Sequence, residues 1–134
     1  MSAVLSNLGL ELRDDPVVVP GSRVEQVCEP ESVLQVSEIV GMAAAEKAGL
    51  LILGGRTRLS LANSAGPLRL GLSLTSLAGV DEFEPDEGVL HAKAGTSIAA
   101  IRETARKEGW ELPLDSPGAA TTVGGTISSA VSGP

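Results

Sequence analysis

Residues 24–58 read VEQVCEPESVLQVSEIVGMAAAEKAGLLILGGRTR. Val24 to Cys28 alternates as a strand does, and Glu29-Pro30-Glu31-Ser32 is a start signal, with Ser32 placed to cap a helix. Val33, Val36, Ile39, Val40, Ala43 and Ala44 then recur at helical spacing, Glu38 and Glu46 turn away, and Gly49 stands where that helix would end. Leu50-Leu51-Ile52-Leu53 is a fully apolar strand running straight into Gly54-Gly55. A strand, a helix, a buried strand and a glycine turn make a crossover unit, and the rest of the fold reads outward from it.

Upstream, Arg13-Asp14-Asp15-Pro16 reads as an acidic break and Val17-Val18-Val19 as an extended piece ending at Pro20-Gly21. Downstream, Leu68 to Leu74 alternates Leu with Arg, Gly and Ser, as a half-exposed strand would. Val80–Glu84 and Val89–Ala94 flank Pro85-Asp86-Glu87-Gly88, whose turn chemistry predicts a hairpin. A second helix follows Gly95-Thr96-Ser97, with Ile98, Ile101, Ala105 and Ala99 as its buried stripe and Gly109 as its stop. Leu112-Pro113-Leu114-Asp115 then leads into a loop. A crossover mixed with antiparallel pairs predicts an α+β domain rather than a regularly alternating doubly wound sheet.

Composition narrows the function. The chain has 134 residues, 43% of them apolar, enough for one domain with a core that must be aliphatic, because Phe83 and Trp110 are its only aromatic residues. Ten basic residues against seventeen acidic ones give a formal charge of −7, which repels a nucleic-acid backbone but leaves room for a single phosphate held locally. The lone Cys28 forms no internal disulfide and suits a reducing cytoplasm. The start lacks a basic n-region and no apolar run reaches spanning length, so a cytoplasmic protein is expected, one that meets a membrane only through a partner.

Two loops carry the candidate chemistry. Gly54-Gly55-Arg56-Thr57-Arg58 follows an apolar strand, where successive amides can form a nest for an anion and guanidinium groups can complete its coordination. It is neither a Walker loop nor a Rossmann fingerprint, since the Gly-Lys-Ser/Thr end, the third glycine and the following helix are missing. Thr121-Thr122-Val123-Gly124-Gly125 and the hydroxyl-rich run through Ser128 to Ser132-Gly133-Pro134 again suit close backbone approach to a phosphate. Taken alone, each loop reads as a strand-exit turn or a surface loop; together they make a diphosphate-sized site more economical. His91 reads as structural or solvent-facing, the acidic clusters at Asp14-Asp15 and Asp81 to Glu87 read as solvated turns, and no Gly-x-Ser-x-Gly elbow supports a serine hydrolase. No metal site is expected.

The ordered set Val27-Cys28-Glu29-Pro30-Glu31-Ser32-Val33, Leu53-Gly54-Gly55-Arg56-Thr57, Leu74 to Val80, Ala94-Gly95-Thr96-Ser97 and Leu112 through Gly125 resembles the FAD-binding (PCMH-type) domain of the vanillyl-alcohol oxidase and p-cresol methylhydroxylase superfamily. The resemblance runs over residues 17–134, with 1–16 as an N-terminal extension, and the ending Gly124 to Pro134 is most similar to the FAD-binding subunits of glycolate oxidase. It implies an N-terminal α+β subdomain and the beginning of a second, clasping an extended FAD. It places Leu53, Gly54, Gly55, Arg56, Thr57, Arg58, Pro113, Thr121, Thr122, Val123, Gly124, Gly125, Ser128 and Gly133 at the cofactor.

In several relatives a histidine directly after the glycine pair links covalently to the flavin. Arg56 holds that position here, which implies non-covalent FAD. The reductase that makes UDP-N-acetylmuramate carries a Gly-Ser-Asn pattern that Gly55-Arg56-Thr57 does not show. The implied activity is oxidation of a 2-hydroxy acid such as glycolate, with electrons passed to a partner subunit. The family's domain continues past Ser-Gly-Pro, so the sequence is expected to be the front portion of something longer and catalytically incomplete, with no catalytic residue assigned. The alternative is a fragment that keeps the fold, binds little flavin and acts as an interaction module.

Overall fold

The computed structural model describes residues 5, 7–115 and 118–130, which fall into two compact units. In the first unit, β1 (Arg13–Val19) and β2 (Ser22–Cys28) form an antiparallel hairpin through Pro20-Gly21, and β3 (Gly49–Leu53) and β4 (Leu68–Ser73) follow. The sheet order is β1-β2-β4-β3, with β4 parallel to both of its neighbours. The expected acidic break at Arg13 to Pro16 is therefore the opening of a strand. Proline survives there because β1 is an edge strand and its register slips between Asp14 and Val17, so the missing N–H breaks no ladder.

The helix α1 (Val33–Ala45) starts where the sequence places it. Ser32 accepts from the Gln35 amide at 3.2 Å while the Gln35 side chain accepts from the Ser32 amide, a full capping box. Its stripe is narrower than predicted: Ile39 and Ala43 are buried, whereas Val33, Val40 and Ala44 are exposed. Its end also differs, because Lys47 takes the left-handed conformation (φ 52) and Gly49 already belongs to β3.

Strand β4, expected to be half-exposed, is buried from Leu70 to Ser73 because it lies between two strands with side chains packed on both faces. Leu70 and Leu72 join Leu5, Leu10, Cys28 and Ile39 in one cluster, and Val17, Val24, Val27 and Leu53 form another. Adjacent Val27 and Cys28 fall into different clusters, as the two-residue pleat requires.

The second unit holds the expected hairpin, β5 (Val80–Glu84) with β6 (Val89–Ala92), and α2 (Ile98–Lys107), capped by Ser97 and followed by Gly109 at φ 77. Ile98, Ile101 and Ala105 are buried as predicted; Ala99 is exposed. The Trp110 indole closes the hairpin turn by donating to the Pro85 carbonyl at 2.9 Å. The final stretch, expected as a loop, contains α3 (Val123–Ser128), capped by the Thr122 hydroxyl accepting from the Gly125 amide at 3.2 Å. The two glycines hid that helix, since their propensity opposes it.

At the end of β4, Glu29 accepts from the hydroxyls of Thr75 and Ser76 and from Arg13, each at 2.7 Å. The Thr75 bond, then the Ser76 bond, hold its carboxyl below the usual carboxylate range, with Arg13 assisting. A depressed folded-state pKa contributes stability above the unfolded value of about 4.3 and loses it as pH falls through the folded value. Glu29→Gln is therefore expected to lower the urea midpoint at pH 7 by the equivalent of about 1 kcal/mol and to differ little from the parent at the acid end. Equal losses at both pH values would show that the charge is not what matters.

Candidate functional site

The turn Gly54–Thr57 clusters with the second unit, where it meets Gly118 to Gly125. A Cβ built on Gly55 would fall inside the carbonyl group of Ala120, and one on Gly54 would strike the Thr122 hydroxyl. A Cβ on Gly124 would stand 3.1 Å from both the carbonyl oxygen and the Cβ of Ala94. These glycines were expected to admit a ligand. They admit another stretch of backbone, so Gly54 and Gly55 bring the two loops of the sequence into direct contact.

Thr57 Oγ1 lies 3.4 Å from Thr121 Oγ1, and Thr121 and Thr122 are buried while Arg56 and Thr57 are exposed. Arg56 takes φ 56, a left-handed conformation that costs a non-glycine residue about 1 kcal/mol. The loop thus keeps a glycine-like geometry with a cation at its tip.

The two loops differ in the amides they offer. Those of Thr121, Val123 and Gly124 donate to the carbonyls of Gly118, Thr96 and Ala94 at 3.2, 2.9 and 2.8 Å. Gly125 donates to Thr122 Oγ1 and Thr126 to the Thr122 carbonyl. The second loop therefore presents hydroxyls, while its amides hold the fold. The amides of Gly54 and Gly55, by contrast, donate no backbone hydrogen bond among the described residues.

Thr96, which the sequence suggested only as part of a cap, is buried, and its hydroxyl contacts both the amide and the carbonyl of Gly79 at 2.9 Å. Its neighbour Ser97 bridges to Thr122. No local pattern announces that role, since its partners lie far off in sequence.

The other expected cofactor residues are placed as follows. Leu53 and Arg58 belong to the first unit, Leu53 closing β3. Pro113 lies in the irregular segment after α2, inside a tight turn closed by the Leu114 amide donating to the Leu112 carbonyl at 2.8 Å, and the exposed Ser128 hydroxyl donates back to the Gly124 carbonyl at 2.7 Å. Gly133 lies outside the described residues. His91 is exposed on β6, and the acidic residues of the hairpin are exposed as well. Burial pushes the Cys28 thiol up, which keeps it protonated and unreactive. Among the described residues no group of three or more His, Cys, Asp or Glu is arranged to hold a metal, and no helix is long and apolar enough to cross a membrane.

Residues 24–134 match the FAD binding domain family. The chain belongs to that family. It is 31% identical over 105 residues to a D-2-hydroxyglutarate dehydrogenase of Xanthomonas citri pv. viticola, an alignment covering 78% of this chain and 22% of that protein. Two solved structures of alkyldihydroxyacetonephosphate synthase share the fold at 17% identity. One has a TM-score of 0.71 over 83% of this chain and 23% of that one, the other 0.68 over 84% and 22%. The chain spans less than a quarter of the length of these relatives. The mixed α/β architecture is thus that of an FAD-binding domain.

Because Gly55 abuts a carbonyl group rather than a flexible side chain, Gly55→Ala is expected to cost about 2–3 kcal/mol in urea unfolding and to separate the two loops. Gly66→Ala, where a Cβ meets nothing within 4 Å, should change stability by no more than about 0.5 kcal/mol. Indistinguishable midpoints for the two variants would contradict the seating of one loop on the other.

Proposed function

We propose that this chain is the FAD-holding part of a flavin-dependent oxidoreductase that oxidises a 2-hydroxy acid such as glycolate, with the FAD bound non-covalently and electrons leaving to a partner. The observation that carries the reading is the Gly54–Thr57 turn. Its two glycine amides make no backbone bond among the described residues, Arg56 supplies a cation at its tip, and it is seated on a segment bearing the Thr121 and Thr122 hydroxyls. That donor set suits a diphosphate: amides and a guanidinium for the phosphate oxygens, hydroxyls for the polar chain beyond them.

Arg56 stands where a covalent flavin link would need a histidine, and a guanidinium forms no such bond. The family's description supports FAD as the cofactor, and the name of the D-2-hydroxyglutarate dehydrogenase relative supports a 2-hydroxy acid as substrate. When bound, the flavin would supply the hydride acceptor, while the protein supplies binding, orientation and electrostatics. No residue of this chain is assigned a catalytic role, so on its own it is expected to hold flavin and leave glycolate unchanged. A partner or further segment would supply the groups that orient the substrate.

The test is the visible absorbance of the purified chain, followed by acid precipitation. A flavin spectrum with all pigment released as FAD supports the reading; pigment retained in the pellet would show a covalent link, and a colourless protein that ignores added FAD would overturn it. Arg56→Ala is expected to raise the FAD dissociation constant about fivefold at low salt, with the difference shrinking as salt screens it. An unchanged constant would remove Arg56 from the phosphate site.

A further inference from the structure

The stretch from Lys93 to Ile98 lies between two other segments of the second unit and bonds to both. On one side the amides of Lys93 and Gly95 donate to the carbonyls of Gly79 and Leu77 at 3.0 and 2.9 Å. On the other, the amides of Val123 and Gly124 donate to the carbonyls of Thr96 and Ala94 at 2.9 and 2.8 Å, and the Ile98 amide donates to the Thr121 carbonyl at 2.8 Å. Thr96 serves both sides. Its carbonyl holds the Val123 amide, while its hydroxyl accepts from the Gly79 amide and donates to the Gly79 carbonyl, each at 2.9 Å.

The segment held on the second side is the one that seats the Gly54–Thr57 turn. Thr122, next to Val123, places its hydroxyl where a Cβ on Gly54 would stand, and Thr121 Oγ1 lies 3.4 Å from Thr57 Oγ1. Direct contacts and single peptide links therefore lead from the Gly79 peptide through Thr96 to the turn.

We infer that Thr96 is a positioning residue for the FAD site: clamping the Gly79 peptide with its hydroxyl and the Val123 amide with its carbonyl, it sets where Thr121 and Thr122 meet the Gly54–Thr57 turn. The inference rests on the FAD reading above. Thr96 acts without meeting the ligand, because it is buried and its hydroxyl proton and one lone pair are both spent on Gly79. With the hydroxyl removed, the half-buried Gly79 amide keeps no partner among the described residues and regains one only by moving toward water. That movement shifts the stretch whose far side holds Thr121 and Thr122.

The test is an FAD titration of the full chain, followed by flavin fluorescence, for the parent, Thr96→Val, Thr96→Ala and Thr96→Ser, with hydrogen exchange at the Val123 amide read in parallel. Emission from Trp110, the chain's only tryptophan, and far-UV circular dichroism report the fold. Thr96→Val keeps the side-chain shape without its hydrogen bonds, and Thr96→Ala is a second hydroxyl-free variant with no methyl pressed against the Gly79 peptide. Each is expected to raise the dissociation constant about tenfold and to speed Val123 exchange at least tenfold, with both fold signals unchanged. Thr96→Ser, which keeps the hydroxyl, should stay within about twofold of the parent on both readouts. Ile101→Val, which removes one buried methyl from α2 and no hydrogen bond, lowers stability and should leave the constant unchanged.

An equal loss of affinity in Ile101→Val would reduce Thr96 to a general stabiliser and overturn the positioning role. So would an equal loss in Thr96→Ser, since the methyl and not the hydroxyl would then matter. Parent-like affinity in a folded hydroxyl-free variant, or failure of both such variants to fold, would overturn it as well. A parent protein that binds no FAD would sink the flavin reading, and Val123 exchange would then still decide whether Thr96 holds the segment.

Discussion

The structure of the second unit depends on one steric constraint: the carbonyl group of Ala120 occupies the place that a side chain on Gly55 would need. Everything at the candidate site follows from that approach. It brings the Thr57 hydroxyl within 3.4 Å of the Thr121 hydroxyl and sets Gly54 beside Thr122. It also fixes where the turn can present its amides. Were the two segments held apart by a methyl group, the amides and the hydroxyls would belong to separate surfaces, neither of them specific for a ligand of diphosphate length.

The segment that receives Gly55 is held just as tightly from behind. The amides of Ile98, Val123 and Gly124, together with the buried hydroxyl of Thr96, tie Gly79, Ala94, Thr96 and Thr121 into one web of backbone bonds at 2.8–2.9 Å. Such a web leaves few buried polar groups unpaired and gives the loop little freedom of its own. A site of this kind needs no large movement to form. Its rigidity comes from the helix α2 and the hairpin, neither of which has to contact a ligand.

Much of the fold was legible in the sequence, and the parts that were not have physical causes. Local signals succeeded: Ser32 and Ser97 cap their helices, Pro85 to Gly88 turns its hairpin, and the Ile98, Ile101 and Ala105 stripe is buried. Signals that depend on neighbours misled. Leu68 to Leu74 alternates like a half-exposed strand, yet two flanking strands and packing on both faces bury it. The apolar stripe of α1 promises more burial than the helix finds among the described residues, with Val33 76% exposed. Pro16 reads as a break because sequence alone does not show that β1 is an edge. The short α3 was hidden by Gly124 and Gly125, residues that its cap and the Ala94 carbonyl hold in a helix against their own propensity.

The candidate site shows the same division more sharply. Glycine pairs beside threonines drew the eye to two loops that the structure brings together, but a missing Cβ permits close approach without saying what approaches. Here the first partner is the chain itself, and the helix-bound loop uses its amides internally. The turn proposed above for the phosphates is Gly54–Thr57, where Arg56 holds φ 56 despite its side chain. A strained arginine at that tip is retained at a cost of about 1 kcal/mol. In a protein of net charge −7, a local cation offsets the field that would otherwise repel a diphosphate. The strain and the electrostatics therefore act in opposite senses on the same residue, which is the pattern expected where a backbone conformation is kept for binding rather than for stability.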